Sequence, residues 1–172
     1  NDIILISDYE KGAAECSRDI IEYCNNKNIY TIVDPKNPNW IKYKGAKTVK
    51  CNKKEYLDQR KNDGLSLTIN PESLNHTRKK YDIDNLIITL GSEGLIILDY
   101  KGDHKKYGTK DLHVYDVSGA GDAVVAGVAF LVANKLPILQ NGDFLCELGG
   151  IIVQEIGTSP IPKDFNYENL IY

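Results

Sequence analysis

Short, almost wholly apolar runs punctuate the chain, and between them the apolar residues thin out to the three- and four-residue spacing of helices. Residues 3–6 are wholly apolar and read as a strand of the kind buried on both faces, which suits a parallel sheet, and 29–33, 46–51 and 86–90 read as further strands. Residues 11–28 read as a helix in which Ala13, Ala14, Ile20, Ile21 and Cys24 share a face and Lys27-Asn28 ends it. Asp34-Pro35 halts the second strand, and Pro38 with Trp40 marks an irregular connection or a brief helix. Asn52 opens a helix over 53–60. Residues 61–70 hold a turn at Asn62-Asp63-Gly64, after which 65–69 is open between loop and strand. Pro71 fits the first position of a helix reaching to about 81, with Asn70 as its cap.

The strand 86–90 turns back through 91–94 into 95–100, and Lys101-Gly102-Asp103 makes a hairpin-like turn into 104–107. A helix follows over 119–134, then a mostly helical segment over 137–157 and a polar-aromatic tail over 160–172. Strands alternating with helices predict a parallel α/β sheet, here with a β-meander inserted between Leu86 and Val114. In such sheets ligands bind beyond the carboxyl ends of the strands, where Asp8, Asp34, Asn52, Gly91 and the turn at Gly119 all fall.

That last turn carries the strongest chemical signal. Val114-Tyr115-Asp116-Val117-Ser118-Gly119-Ala120-Gly121-Asp122 leads directly into an apolar helix-forming run. A glycine turn opening a helix leaves backbone N–H groups free at the positive end of the helix dipole, which attracts an anion such as a phosphate. Asp122 then either caps the helix or acts on a substrate hydroxyl beside that phosphate. Asn52 and Glu55, three apart at a helix start, have the spacing of a capping box and also offer the oxygen ligands that suit Mg²⁺.

Asp116 to Asp122 resembles the D-T-x-G-A-G-D signature of the ribokinase (PfkB) family of carbohydrate kinases, with Val117 in place of the usual Thr. That change, preceded by Tyr115, is similar to the variant in the heptose-phosphate kinases of lipopolysaccharide precursor synthesis. Further segments match in family order: Ser7-Asp-Tyr-Glu-Lys-Gly12, Val33-Asp-Pro-Lys36, Asn52-Lys-Lys-Glu55, Thr89-Leu-Gly-Ser-Glu-Gly94 and the stretch 148–159.

The resemblance implies a ribokinase-like three-layer α/β/α fold, with this chain forming one domain that lacks the N-terminal part and the lid. It implies ATP-dependent phosphorylation of a sugar or sugar phosphate, heptose 7-phosphate at its anomeric hydroxyl in the variant's case. Asp122 is then the base, and Gly119, Ala120 and Gly121 form the anion hole. Thr89, Gly91, Ser92 and Gly94 line the nucleotide, with Gly150 and Val153 on the adenine wall and Gly157-Thr158-Ser159 in a loop beside it. Asp8, Lys11, Asp34 and Lys36 face the sugar phosphate and the transferred group. Asn52 and Glu55 position Mg²⁺ through water, and Asp116 is a candidate ligand for a monovalent cation, K⁺ in several relatives. A homo-oligomer, a dimer in the simplest case, and fusion to a nucleotidyltransferase domain are also expected. Two other readings stand beside this one: a vitamin kinase of the same fold, against which the D-Y-x-K-G and D-P-K pair argues, and a nucleotide-binding fragment without catalysis.

Composition narrows the partners. The 172 residues are 42% apolar and 26% charged with a net charge of −3, so no electrostatic attraction for nucleic acid or an anionic membrane is expected. No apolar run approaches the roughly 20 residues that span a bilayer, and the expected location is the cytoplasm. Cys16, Cys24, Cys51 and Cys146 form no CxxC pair and are expected to be buried free thiols. His76, His104 and His113 belong to no constellation. Methionine is absent and Asn1 stands just before the first strand, so the chain is expected to be a piece of a longer protein.

Overall fold

The structure is a computed structural model that describes residues 2–12, 14–109, 118–154, 160–162, 165 and 170–171. Its described residues form one six-stranded sheet in sequential order: β1 (Ile3–Asp8), β2 (Tyr30–Pro35), β3 (Thr48–Asn52), β4 (Asn85–Thr89), β5 (Leu95–Leu98) and β6 (His104–Tyr107). The pairs β1/β2, β2/β3 and β3/β4 are parallel, whereas β4/β5 and β5/β6 are antiparallel. The alternation of strands and helices thus gives the expected parallel sheet, and the expected meander closes one edge of it.

Helices cover both faces. One layer holds α1 (Ser17–Asn26), α2 (Lys53–Asn62) and α3 (Pro71–Lys80), with a core of Ile21, Trp40, Tyr43, Tyr56, Leu74, Leu86 and Ile88. The other holds α4 (Ala120–Ala133) and α5 (Gly142–Ile152), whose Val124, Val128, Leu131, Phe144, Leu145 and Leu148 pack on Ile32, Ile87 and Ile97. Residues on alternate sides of β4, Leu86 and Ile88 against Ile87, serve the two cores, which is why that strand reads as continuously apolar. Helix α4 is almost entirely apolar because α5 covers much of what the sheet leaves.

Boundaries moved where local chemistry overrode periodicity. The helix expected from residue 11 begins only at Ser17, because Glu10 and Gly12 take positive φ angles of 56° and 88°, and no side chain caps the helix at Cys16. The open segment 61–70 contains no strand among the described residues. Buried Arg60 at the end of α2 donates to the carbonyl oxygens of Ser66 and Ser73, so a cation pins the loop in place of a ladder. Asn70 and Pro71 do start α3, the Asn70 side chain accepting from the Ser73 N–H in a reciprocal capping box. The segment 137–157 is helical only from Gly142 to Ile152, and residues 155–159 lie outside the described residues. Of the four cysteines, all free, only Cys24 and Cys51 are buried; Cys146 is half-buried and Cys16 is exposed on the turn before α1.

Register matters most for function. Ser7 stands beside Asp34, and Asn52 beside Thr89, so the carboxyl ends of β1 to β4 finish level with one another. The β4–β5 turn is held by the Leu90 N–H on the Gly94 carbonyl at 2.7 Å. Gly94 has φ 90°, and a Cβ there would lie 1.9 Å from the Tyr107 carbonyl oxygen. Gly94→Ala is therefore expected to cost more than about 2 kcal/mol, since neither the backbone dihedral nor the facing backbone can give. Urea denaturation of the two proteins checks this, and a loss under about half that figure would contradict it.

Candidate active site

Gly119 stands directly before helix α4, takes the left-handed conformation at φ 83° and offers no side chain to cap the turn. The first internal bond of the helix runs from the Ala123 N–H to the Gly119 carbonyl at 2.9 Å, so the preceding N–H groups point out of the helix end. Asp122, exposed in the first turn of α4, does not cap that helix; its Oδ1 accepts the Tyr9 hydroxyl at 3.2 Å. Tyr9 follows Asp8 at the end of β1. Burial, then the charge and hydrogen bond of Asp122, raise the Tyr9 pKa, so the phenol keeps its proton and remains a donor.

This helix end opens on a cleft of about 1060 Å³ along the carboxyl ends of the strands. Asp34, Lys36, Asn52, Thr89, Gly91, Ser92, Gly94, Gly119, Ala120, Gly121, Asp122, Gly150 and Val153 all line it. The structure thereby brings most residues singled out from the sequence onto one surface. Val124, Leu145, Cys146 and Gly149 add an apolar and small-residue wall from α4 and α5.

Electrostatically the cleft floor is one linked set. Asp34 is 1% exposed; its Oδ1 pairs with the Lys50 ammonium at 3.1 Å and its Oδ2 with Lys36 at 3.2 Å. Lys36 also reaches Glu55 Oε1 at 3.0 Å and lies 5.5 Å from the centre of the Tyr9 ring. Burial pulls the Lys36 pKa down, but the carboxylates of Glu55 and Asp34 outweigh it and leave the ammonium at about 12. Desolvation raises the Cys51 thiol well above its ordinary value and the Cys146 thiol to about 11, so neither offers a thiolate nucleophile.

Asn52 and Glu55 do form the reciprocal capping box: the Glu55 N–H donates to Asn52 Oδ1 at 2.8 Å, and the Asn52 N–H to Glu55 Oε2 at 2.7 Å. With Oε1 on Lys36, both oxygens of Glu55 are engaged. No group of three or more His, Cys, Asp or Glu side chains suited to a metal occurs among the described residues. The donor set does not fit direct capture of Mg²⁺ by protein alone. It does fit a hydrated ion that Asn52 and Glu55 would hold through water.

Two expected site residues lie elsewhere. Asp8 is 2% exposed and turned away from the cleft, its carboxylate accepting from Tyr43, Lys42 and the Glu10 N–H. Lys11 is exposed beyond it and does not line the cleft. Asp116 and the loop 157–159 lie outside the described residues. His76 and His104 are exposed away from the cleft, and His113 is not described. Among the described residues no helix is long and apolar enough to cross a membrane.

Sequence reasoning overlooked Tyr9 and Lys50. Tyr9 sits inside the D-Y-x-K-G match, and Lys50 is the one charged residue of β3, between the buried Val49 and Cys51. A lysine within a buried strand is itself a signal, because lysine is almost never fully buried unless paired.

The chain matches the model described as pfkB family carbohydrate kinase over residues 6–164. It is 34% identical to the Bifunctional protein HldE of Aliarcobacter butzleri (strain RM4018) over 167 residues, which is 96% of this chain and 35% of that protein. The chain thus spans about a third of the length of the curated relatives it matches. Its fold superposes on ribokinase from Thermotoga maritima with a TM-score of 0.75 at 20% identity, covering 92% of this chain and 52% of that one. Escherichia coli phosphofructokinase-2 in complex with potassium gives 0.74 at 18% identity, covering 91% and 52%.

The buried Asp8 generates a pH prediction. Burial alone would raise its pKa, but Lys42, Tyr43 and the Glu10 N–H outweigh this and hold the carboxyl below its ordinary 3.8. Its contribution to stability is therefore full above that value and is lost as pH falls through the lower native one. Wild type and Asp8→Asn should differ in denaturant midpoint at about pH 6, and the gap should close as pH drops below about 4. A gap that stays constant down to about pH 3 would contradict the assignment.

Proposed function

We infer the function from one premise, that the chain belongs to the pfkB family of carbohydrate kinases. It forms the nucleotide-binding part of a ribokinase-like kinase domain that moves the γ-phosphoryl group of ATP to a hydroxyl of a sugar or sugar phosphate. The observation that carries this reading is the uncapped start of α4 facing the cleft with exposed Asp122 beside it.

The chemistry follows from that geometry. Backbone N–H groups at Gly119, Ala120 and Gly121 receive phosphate oxygens at the positive end of α4, and Thr89 to Gly94 run along the phosphates and ribose. The wall of Gly150, Val153 and Leu145 takes the base. Asp122 accepts the proton of the acceptor hydroxyl as its oxygen bonds to the γ-phosphorus and the bond to the bridging oxygen of ADP breaks. When bound, Mg²⁺ would be held near Asn52 and Glu55 and would supply charge neutralisation on the nucleotide. Lys36 adds a cation whose raised pKa keeps it charged at any neutral pH. Asp116 is a candidate for a monovalent cation, as potassium accompanies one structural neighbour.

For the acceptor, we propose heptose 7-phosphate at its anomeric hydroxyl. Support comes from the signature variant with Tyr115 and Val117 and from the identity to proteins called Bifunctional protein HldE. Because those relatives are longer and bifunctional, the natural form is proposed to carry the lid, the remaining sugar contacts and a nucleotidyltransferase, and to work in the cytosol where ATP is held. This chain alone is then a nucleotide binder without sugar turnover. Ile4 and Leu5, 37% and 43% exposed on the edge strand β1, favour pairing with further protein, in a homo-oligomer or within the longer chain.

Two outcomes test the reading. In the longer natural protein, Asp122→Asn should lower kcat about 10²- to 10⁴-fold while ATP affinity stays within a few-fold. Near-normal turnover would remove Asp122 as the base. Glu55→Gln should raise the Mg²⁺ concentration needed for half-maximal activity and cost about 1 kcal/mol of stability through the cap. An unchanged metal requirement would leave Glu55 as a cap and a partner of Lys36 only.

A further inference from the structure

Lys50 is the least expected residue of the cleft. It projects from the middle of β3 toward the α4 side, is 2% exposed, and yet lines the cleft. Its ammonium lies directly beneath the glycine turn: a Cβ on Gly121 would stand 2.8 Å from Nζ. The lack of a side chain at Gly121 therefore makes room for this cation as well as for an incoming anion.

The position is electrostatically costly. A buried cation at the amino-terminal end of α4 faces the positive end of the helix dipole. Asp34 offsets it at 3.1 Å, but Asp34 also serves Lys36, and Lys36 in turn shares Glu55. Lys36, Lys50, Asp34 and Glu55 balance in formal charge, so the outward N–H groups of α4 add positive potential above Nζ, with Asp122 of the first turn as the nearby carboxylate. Were the Lys50–Asp34 pair only structural, an apolar pair of similar volume would serve as well or better in a buried strand. One ammonium has three donors, and Asp34 takes one of them.

We propose that Lys50 is the cation that meets the transferred phosphoryl group from the sheet side, beneath the turn Gly119 to Gly121, with Asp34 as the counter-ion that holds it there. This rests on the kinase reading above and adds to it a residue outside every motif of the sequence. The phosphate is then gripped from two sides, by backbone N–H groups of α4 and by Nζ, and the charge that builds on its oxygens during transfer stays compensated. Asp34 keeps the ammonium pointing at the cleft when the nucleotide is gone.

The test measures the affinities of this chain for ATP and for adenosine by calorimetry, together with thermal stability. Lys50→Met keeps the length and removes the charge; Asp34→Asn with Lys50→Met removes both charges and guards against misfolding from a lone buried carboxylate. Both are expected to bind ATP roughly 10- to 100-fold more weakly while adenosine affinity changes less than about 3-fold. Unchanged ATP affinity in a folded variant overturns the proposal while leaving the kinase reading in place, as does a parallel loss of ATP and adenosine binding. A wild-type chain that binds neither ligand overturns both.

Discussion

A carboxylate that is 1% exposed at the end of a parallel strand must be neutralised by something built into the fold, and Asp34 shows how. Lys50 arrives from β3 on one oxygen and Lys36 from beyond β2 on the other. Lys36 then reaches the Glu55 that closes the cap of α2, and its ammonium lies by the ring of Tyr9, whose hydroxyl meets Asp122 on α4. One desolvated charge thereby ties two strands to the segments of Lys36, Glu55, Tyr9 and Asp122 in a single floor. Removing either partner of such a set leaves an uncompensated buried charge, typically at a cost of about 3–5 kcal/mol. The site and the stability of the sheet's carboxyl edge are for this reason the same problem.

Much of this was legible in the residues. Continuous apolar runs predicted parallel strands because both faces of β2 and β4 are covered, and Asn70-Pro71 predicted α3 because an amide side chain and a fixed φ satisfy a helix start locally. The glycine turn before α4 predicted a helix start there for the same local reason, and α4 does begin directly after Gly119. What stayed hidden depended on distant partners. Arg60 replaces a ladder for 61–70 through contacts made only once α3 is in place. Asp8 carries the same motif signal as Asp34, yet Tyr43 and Lys42, more than thirty residues on, turn it inward. Lys50 was readable only as a lysine in a buried strand, and its place beneath the α4 turn came from Gly121.

The arrangement also separates rigid from adaptable parts. The anion turn and the β4–β5 turn stand on backbone hydrogen bonds and on glycines whose replacement meets facing backbone or the buried Nζ. Asp122 and Tyr9 are exposed, and their contact at 3.2 Å is open to exchange with an entering hydroxyl. On the proposed reading, phosphate recognition sits on preorganised backbone, while Asp122 as proton acceptor stays accessible to whatever alcohol is brought beside it.

The decisive observation is where a nucleotide sits on this chain. A ¹H–¹⁵N titration with a non-hydrolysable ATP analogue and Mg²⁺ should move the amides of Gly119 to Asp122 and of Gly91 to Gly94 most. Perturbation centred instead on Asn28, Tyr100 and Lys101, at the opposite end of the sheet, with the α4 turn unmoved, would contradict the assignment of the cleft.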